Sequence, residues 1–305
     1  MRIAEGAAVE VLQYLIRSGA DARIGAGDRV LIGLVGRGIQ SSLSPTMHER
    51  EGARLGLRYS YLRIDFDQLG LPDAALGQII SEAERAGFAG LNVTHPFKQS
   101  VIPHLTRLAP EASAVGAVNT IVFKDGLRQG HNTDSWGFAE SFREGMAGCR
   151  LDRVAQFGAG GAGAAVAYAL MELGVGKLSI IDRDTERSKL LAQRMAAQFG
   201  ERVHASTDVD SEVATADGIV NTTPVGMAKY PGMPFSPALL TPHHWVAEII
   251  YFPQRTELLQ RARALGCRTL AGAGMAVYQA VRAFELFTGI APDRAAMVGY
   301  FEAAS

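Results

Sequence analysis

Gly158, Gly160 and Gly163 in "FGAGGAG" stand at the spacing GxGxxG, with Gly161 between them. In a chain of 305 residues with 34 glycines the pattern alone says little. Its surroundings say more: the apolar run "RVAQF" precedes it, a helical pattern follows at once, and the next apolar run ends in Asp182, about 20 residues on. In such a strand-to-helix turn the first glycine makes the bend, the second lets backbone N–H groups approach a pyrophosphate, and the third lets helix and strand pack closely. The chemistry expected there is binding of a nicotinamide dinucleotide.

The stretch "IDRDTER" bears on which dinucleotide. Asp182 at the strand tip can accept hydrogen bonds from both adenosine ribose hydroxyls and repels the extra phosphate of NADP, and Asp184 adds to that repulsion. Arg183 and Arg187 act in the opposite sense, because a guanidinium pairs with phosphate. The balance favours NAD over NADP, with Arg187 either a cofactor contact or a solvated helix residue.

Taking a hydride from an alcohol carbon also requires a group that takes the hydroxyl proton. "GLNVTHPFKQSV" carries Lys98 just beyond a short apolar strand, and "GHNTDSWGF" carries Asp134 just before a helix. A lysine and an aspartate meeting at the mouth of an interdomain cleft would form an acid/base pair. The lysine's ordinary pKa of about 10.4 would have to be lowered by desolvation while Asp134 pushed it back up. The residue types equally permit a solvated lysine and an aspartate that caps a helix.

The elements that must hold these residues follow from the hydrophobic pattern. From Arg29 onward, apolar runs alternate with helical spacing: "RVLIGLVG", "PTMHEREGARLGL", "RYSYLRIDF", "DAALGQIISEAERAG", "FAGLNV". That alternation predicts an α/β domain with a largely parallel sheet, and "GAVNTIVFKDGLRQGHNTD" predicts a hairpin around "KDG" at a sheet edge. A second alternating series from "DRVAQFGAGGAG" predicts a second α/β domain. "MAVYQAVRAFELFTG" is an apolar helix with no strand to follow, so it must pack on something already built. Residues 1–28, with Val9, Leu12, Leu15 and Ile16 at helical spacing and a glycine-rich end, are expected to be an N-terminal extension.

Composition narrows the class of partner. With 30 Lys+Arg against 31 Asp+Glu the formal net charge is -1, which favours a small-molecule ligand over nucleic acid or a membrane surface. Cys149 and Cys267 form no disulfide framework, and no apolar run reaches the length of a membrane span, so a cytoplasmic enzyme is expected. His131, His243 and His244 lack a second ligand cluster at usable spacing, so no metal is expected. The sequence leaves a homo-oligomer open.

Seven motifs in series, "SSLSP", "NVTHPFK", "GAVNT", "HNTD", "GAGGAG", "NTTPVGM" and "VYQA", occur in the order and spacing of the shikimate dehydrogenase family. The chain resembles in particular its NAD-using quinate/shikimate dehydrogenase branch. The resemblance implies an α/β fold of two domains: a substrate domain over 29–132 plus 273–305 and a Rossmann domain over 133–272, with the active site in the cleft. It implies reversible oxidation of a ring hydroxyl of shikimate or quinate to the 3-dehydro ketone, with Lys98 and Asp134 as the catalytic pair. Ser42 and Ser44 would bind the substrate carboxylate, with Ser44 also readable as an N-cap ahead of Pro45. Thr94, Asn119, Tyr251 and Gln279 would contact the substrate. Gly158, Gly160, Gly161, Gly163, Asp182, Arg187, Asn221, Thr222, Pro224, Gly226, Met227 and Met275 would line the cofactor. Two alternatives stay open: a sensor of the same fold without turnover, and a dehydrogenase of an aminated shikimate analogue.

Overall fold

"RVLIGLVG" forms strand β1 (Arg29–Gly36), and its last six residues are buried. A strand covered on both faces reads as a continuous apolar run, which is why β1 shows no alternation. It lies between β2 (Arg58–Asp65) and β3 (Gly90–Val93), parallel to both. The crossovers are helices α1 (Ser44–Arg54) and α2 (Leu76–Arg85). The computed structural model describes residues 29–304; the expected extension, 1–28, lies outside them.

Beyond β3 come β4 (Arg107–Leu108), α3 (Pro110–Val115), and the antiparallel pair β5 (Thr120–Lys124) and β6 (Leu127–His131). Asp125 and Gly126, at φ 53° and 72°, close this hairpin as a two-residue turn with positive φ at both positions requires. The sheet order is β2-β1-β3-β5-β6-β4. The hairpin therefore stops one strand short of the edge, which belongs to β4. A two-residue strand has no periodicity to detect, so the sequence does not announce it.

One face of this sheet packs Leu31, Val35 and Leu91 against Leu76, Ile79 and Ile80 of α2. The other packs Ile32, Leu34 and Tyr61 against Ala283 and Phe287 of α9 (Ala273–Thr288), the apolar helix without a following strand. Its successor α10 (Arg294–Glu302) is tied to α1, where the Asp293 N–H donates to Glu51 Oε1 at 2.7 Å.

Helix α4 (Thr133–Gly145) leads to the second sheet, made of β7 (Arg153–Phe157), β8 (Lys177–Ile181), β9 (Val203–Ala205), β10 (Gly218–Asn221), β11 (Trp245–Glu248) and β12 (Arg268–Leu270). Its order, β12-β11-β10-β7-β8-β9, is parallel throughout. The connecting helices include α5 (Gly161–Glu172), α6 (Thr185–Phe199), α7 (Val209–Thr215) and α8 (Glu257–Ala264). The winding direction reverses between β7 and β10, and loops beyond strand ends at such a switch point are where doubly wound sheets bind ligands. The described chain falls into two compact α/β units, residues 29–113, 117–133 and 280–304 in one, 114–116 and 134–279 in the other.

Candidate active site

In the first unit, the loop after β1 is folded onto the end of β2. Asp65 accepts the N–H groups of Gly38 and Ile39 at 3.0 and 3.1 Å and the Gln40 amide at 3.0 Å. Burial pushes its carboxyl up, but the Gln40 amide and the N–H groups of Ile39, Asp67 and Gly38 together hold it below the ordinary value. Arg63 Nη2 donates to Ser42 O at 3.1 Å, and Ser42 Oγ accepts the Ser44 N–H at 3.4 Å. Ser44 is the first residue of α1 rather than its cap. Leu43 occupies the cap position in αR conformation and has no capping side chain, so the helical turn starts one residue earlier than Ser-Pro suggests.

Strand β3 ends at Val93, whose N–H donates to Asn119 O at 2.8 Å. Thr94 stays attached through its N–H to Val35 O at 2.9 Å, and the chain then turns through the cis peptide His95–Pro96. Phe97 is buried against Phe66, with ring centroids 4.6 Å apart. The next residue, half-buried Lys98, has its carbonyl fixed by the Val118 N–H at 2.7 Å. Lys98 thus sits in a turn anchored on both sides.

Asn119 is buried, and its side chain holds the first residue of α4: Oδ1 accepts the Thr133 N–H at 2.8 Å and Nδ2 donates to Thr133 Oγ1 at 2.9 Å. This task leaves one Nδ2 hydrogen for anything else. Asn92, which the site expectation omits, belongs to the same buried network. Its Oδ1 accepts the Tyr61 hydroxyl at 2.7 Å and its Nδ2 donates to Thr120 Oγ1 at 3.0 Å. An amide inside the apolar strand "GLNV" was the available signal, because a buried amide must find partners.

In the second unit, Asp134 is buried and lies inside the first turn of α4, not just before it. Gly137, one turn on, brings α4 close to α9. A Cβ at Gly137 would lie 2.6 Å from Gln279 N and 2.9 Å from Met275 O. Met275 is buried, and Gln279, half-buried, donates through Nε2 to Ala276 O at 3.0 Å. The helix of Asp134 and the turn carrying Met275 and Gln279 are thereby brought together.

The glycine loop fits a dinucleotide. Gly158 adopts φ 104°, and a Cβ there would lie 2.6 Å from Thr222 Oγ1. A Cβ at Gly163 would lie 2.4 Å from Gly158 O, whereas Gly160 and Gly161 face open space within 4 Å. Turn and packing thus need the outer glycines, and the inner two leave room at the N-terminus of α5. Asp182 beyond β8 accepts the Ala159 N–H at 2.7 Å and the Asp184 N–H at 2.9 Å, which orients its carboxylate at the loop. Asp184 caps α6, accepting from Glu186 and Arg187 N–H, and Arg187 Nε pairs with Asp184 Oδ2 at 3.1 Å.

The loop after β10 is built by buried side chains. Asn221 Nδ2 donates to Val225 O at 2.9 Å and to Glu248, while its Oδ1 accepts the Thr223 N–H at 3.0 Å and hydroxyl at 2.7 Å. Asn221 therefore shapes this loop rather than presenting its amide at a surface. Thr222 Oγ1 reaches Phe157 O and Gly158 O at 2.7 and 2.9 Å, tying the loop to the glycine turn. The Met227 N–H closes on Pro224 O at 3.1 Å and Gly226 takes φ 117°. Met227 and Tyr251 are 41% and 44% exposed. Burial pushes Glu248 up to about 7, against its hydrogen bonds from Asn221, Ile250 and Thr256; no local sequence pattern marks this residue.

Among the described residues no group of three or more His, Cys, Asp or Glu could hold a metal ion. His131 instead meets Glu111 at 3.2 Å, and His244 Nε2 meets Val213 O at 3.0 Å. Nor is any described helix long and apolar enough to cross a membrane.

Comparison with known proteins identifies the family of the chain. Residues 34–121 match the shikimate dehydrogenase substrate binding domain, and residues 272–298 match the shikimate 5'-dehydrogenase C-terminal domain. A shikimate dehydrogenase (NADP(+)) of Streptomyces avermitilis is 55% identical over 89% of this chain and 94% of its own. A quinate/shikimate dehydrogenase (NAD(+)) of Corynebacterium efficiens is 47% identical over 87% of this chain and 95% of its own. The solved quinate dehydrogenase from Corynebacterium glutamicum in complex with NAD superposes with a TM-score of 0.85 at 44% identity, covering 91% of this chain and all of that one. With both sheets, the glycine turn and these matches in agreement, the chain belongs to the shikimate dehydrogenase family.

Proposed function

We propose that this protein is an oxidoreductase that converts a ring hydroxyl of shikimate or quinate to the 3-dehydro ketone, with NAD preferred and with Lys98 and Asp134 as its acid/base pair. The observation that supports the chemistry best is the anchored turn of Lys98, whose carbonyl accepts the Val118 N–H at 2.7 Å while the preceding Phe97 is buried. A lysine on such a base can be aimed at one oxygen.

In this reading Ser42 and Ser44 hold the substrate carboxylate at the start of α1, and Thr94, Asn119, Tyr251 and Gln279 meet the ring hydroxyls. Gly158, Gly160, Gly161 and Gly163 take the pyrophosphate and Asp182 the adenosine ribose. Asn221, Thr222, Pro224 and Gly226 shape the neighbouring loop, and Met227 and Met275 border the nicotinamide. Bound there, the nicotinamide supplies the hydride acceptor. Lys98 in its neutral form takes the hydroxyl proton as the carbonyl forms, and returns it in the reverse direction. Asp134 stabilises the ammonium so produced.

The relatives' names divide between NAD and NADP. The preference for NAD rests on Asp182 beside the loop and on Arg187, whose guanidinium is engaged by Asp184 at 3.1 Å. A phosphate at that position would meet two carboxylates and no unengaged Arg187. The test is the initial rate of cofactor reduction with shikimate or quinate, each with NAD or NADP. Turnover with NAD well above NADP is expected for at least one acid. Silence in all four combinations would defeat the reading.

A further inference from the structure

We propose that Arg63 is a further specificity-determining residue: its guanidinium supplies the positive charge that selects a ring carboxylate at Ser42 and Ser44. This rests on the assignment of those serines made above. Tyr61, Arg63 and Asp65 alternate along β2 and so share one face of the strand. All three side chains reach groups around the candidate substrate site: Tyr61 holds Asn92 at 2.7 Å, Asp65 holds Gly38, Ile39 and Gln40, and Arg63 Nη2 holds Ser42 O at 3.1 Å.

Arg63 differs from its neighbours in being undersatisfied. Its Nε is buried with no hydrogen-bond partner, and among the described residues it forms no ion pair. The nearby acids are committed elsewhere. Asp65 already accepts from Gly38, Ile39, Gln40 and the Asp67 N–H, and Glu49 accepts the Tyr61 N–H at 3.0 Å. A buried guanidinium N–H such as this Nε is costly without an acceptor, and an anion beside the group would supply one. Two serine hydroxyls offer neutral donors, which discriminate less between a carboxylate and its ester than a charged group does. A guanidinium attached to the same loop distinguishes the charged carboxylate from its neutral isosteres.

The experiment compares the parent, Arg63→Gln and Arg63→Lys with shikimate and with its methyl ester, by steady-state kinetics and by calorimetric binding in the presence of cofactor, after thermal melts confirm folding. Arg63→Gln is expected to raise KM and Kd for shikimate roughly 10- to 100-fold, the loss expected of one charge-assisted hydrogen bond, with kcat within about threefold. The ester's values should move less than about threefold, and Arg63→Lys should recover part of the discrimination. Equal losses for acid and ester would mean that Arg63 only holds the Ser42 loop, and an unchanged shikimate KM would remove any role; either overturns the inference. If the Arg63→Gln variant does not fold, unaltered acid-over-ester discrimination in Arg63→Lys overturns it too. A parent that binds shikimate without turning it over would defeat the proposed reaction while the binding comparison still decides Arg63, and a parent that does not bind shikimate defeats both.

Discussion

The side-chain amide of Asn221 donates to both oxygens of the Glu248 carboxylate, at 3.1 and 3.0 Å. Ile250 N–H and the Thr256 hydroxyl complete the shell at 3.1 and 3.2 Å, and Thr256 Oγ1 caps α8 through Leu259 N–H. One buried carboxyl thus joins the loop after β10 to the start of α8. Burial pushes it up from 4.5 to about 7 against these donors, so the folded protein binds this proton more tightly than the unfolded chain. Stability from this group is therefore complete below about 4.5 and is lost as pH rises through about 7, an effect of about 3 kcal/mol. Glu248→Gln should flatten that fall, as urea midpoints at about pH 5 and about pH 8 would reveal. Parallel slopes in parent and variant would sink the account.

His48 contributes the opposite slope. It is fully buried among the rings of Tyr59, Tyr61, Phe284 and Phe287, with Nδ1 2.8 Å from the Tyr59 hydroxyl and Nε2 without a partner. Burial pushes it from 6.5 down to about 3, so the unfolded chain takes the proton first. Its contribution is complete above about 6.5 and is lost as pH falls towards about 3, at about 1.4 kcal/mol per pH unit between those values. His48→Leu should remove that dependence between about pH 6 and about pH 4 in chemical denaturation. Because Glu248 acts in the opposite direction there, the comparison is best repeated in Glu248→Gln, and an unchanged slope would refute the His48 account.

Both sheets and the glycine turn were legible because each rests on local pattern: apolar runs alternating with helical spacing, and glycines at fixed offsets. The apolar helix α9 was legible for the same reason, and Phe287 does cover the first sheet. Partners distant in sequence were not. Asn92 meets Tyr61 across 31 residues and Glu248 meets Asn221 across 27, and only the folded sheets bring these polar groups face to face. The helix at Ser44 starts one residue earlier, and the helix at Asp134 two residues earlier, than residue preferences suggest, because Ser42 Oγ and Asn119 Oδ1 accept the N–H of the first helical residue.

Lys98→Ala should lower kcat by about 100-fold or more, the usual contribution of a positioned proton-transfer group, while the Kd for shikimate changes only a few fold. Asp134→Asn should also fall mainly in kcat. Single-turnover rates with saturating substrate would separate chemistry from product release. If Lys98→Ala stayed within about threefold of the parent with binding intact, the proton would have to leave by another group.

Asp182 accepts the Ala159 N–H at 2.7 Å while standing where the adenosine ribose is proposed to bind. Asp182→Ala should weaken NAD by about 10- to 100-fold and move the NAD-to-NADP ratio of kcat/KM towards NADP by at least about tenfold, because ribose acceptors and phosphate repulsion go together. Arg187→Ala should change either cofactor's KM by less than about threefold, since Asp184 already engages that guanidinium. A large loss with NADP alone in Arg187→Ala would show that the arginine reads the phosphate and would reverse the cofactor preference proposed.

Gly137 tests whether close packing of α4 on α9 outweighs helix propensity. In an unobstructed helix, glycine to alanine gains about 1 kcal/mol. At Gly137 the added Cβ would stand 2.6 Å from Gln279 N and 2.9 Å from Met275 O, backbone atoms that cannot swing aside as a flexible side chain can. Gly137→Ala should therefore cost about 1 to 3 kcal/mol net, through displacement of the turn that carries Met275 and Gln279. Gly299 in α10 is the control, because a Cβ there meets nothing within 4 Å. Gly299→Ala should leave the melting temperature level or raise it. Opposite shifts in the two melting curves are expected, and stabilisation by both substitutions would show that α4 and α9 have room to spare.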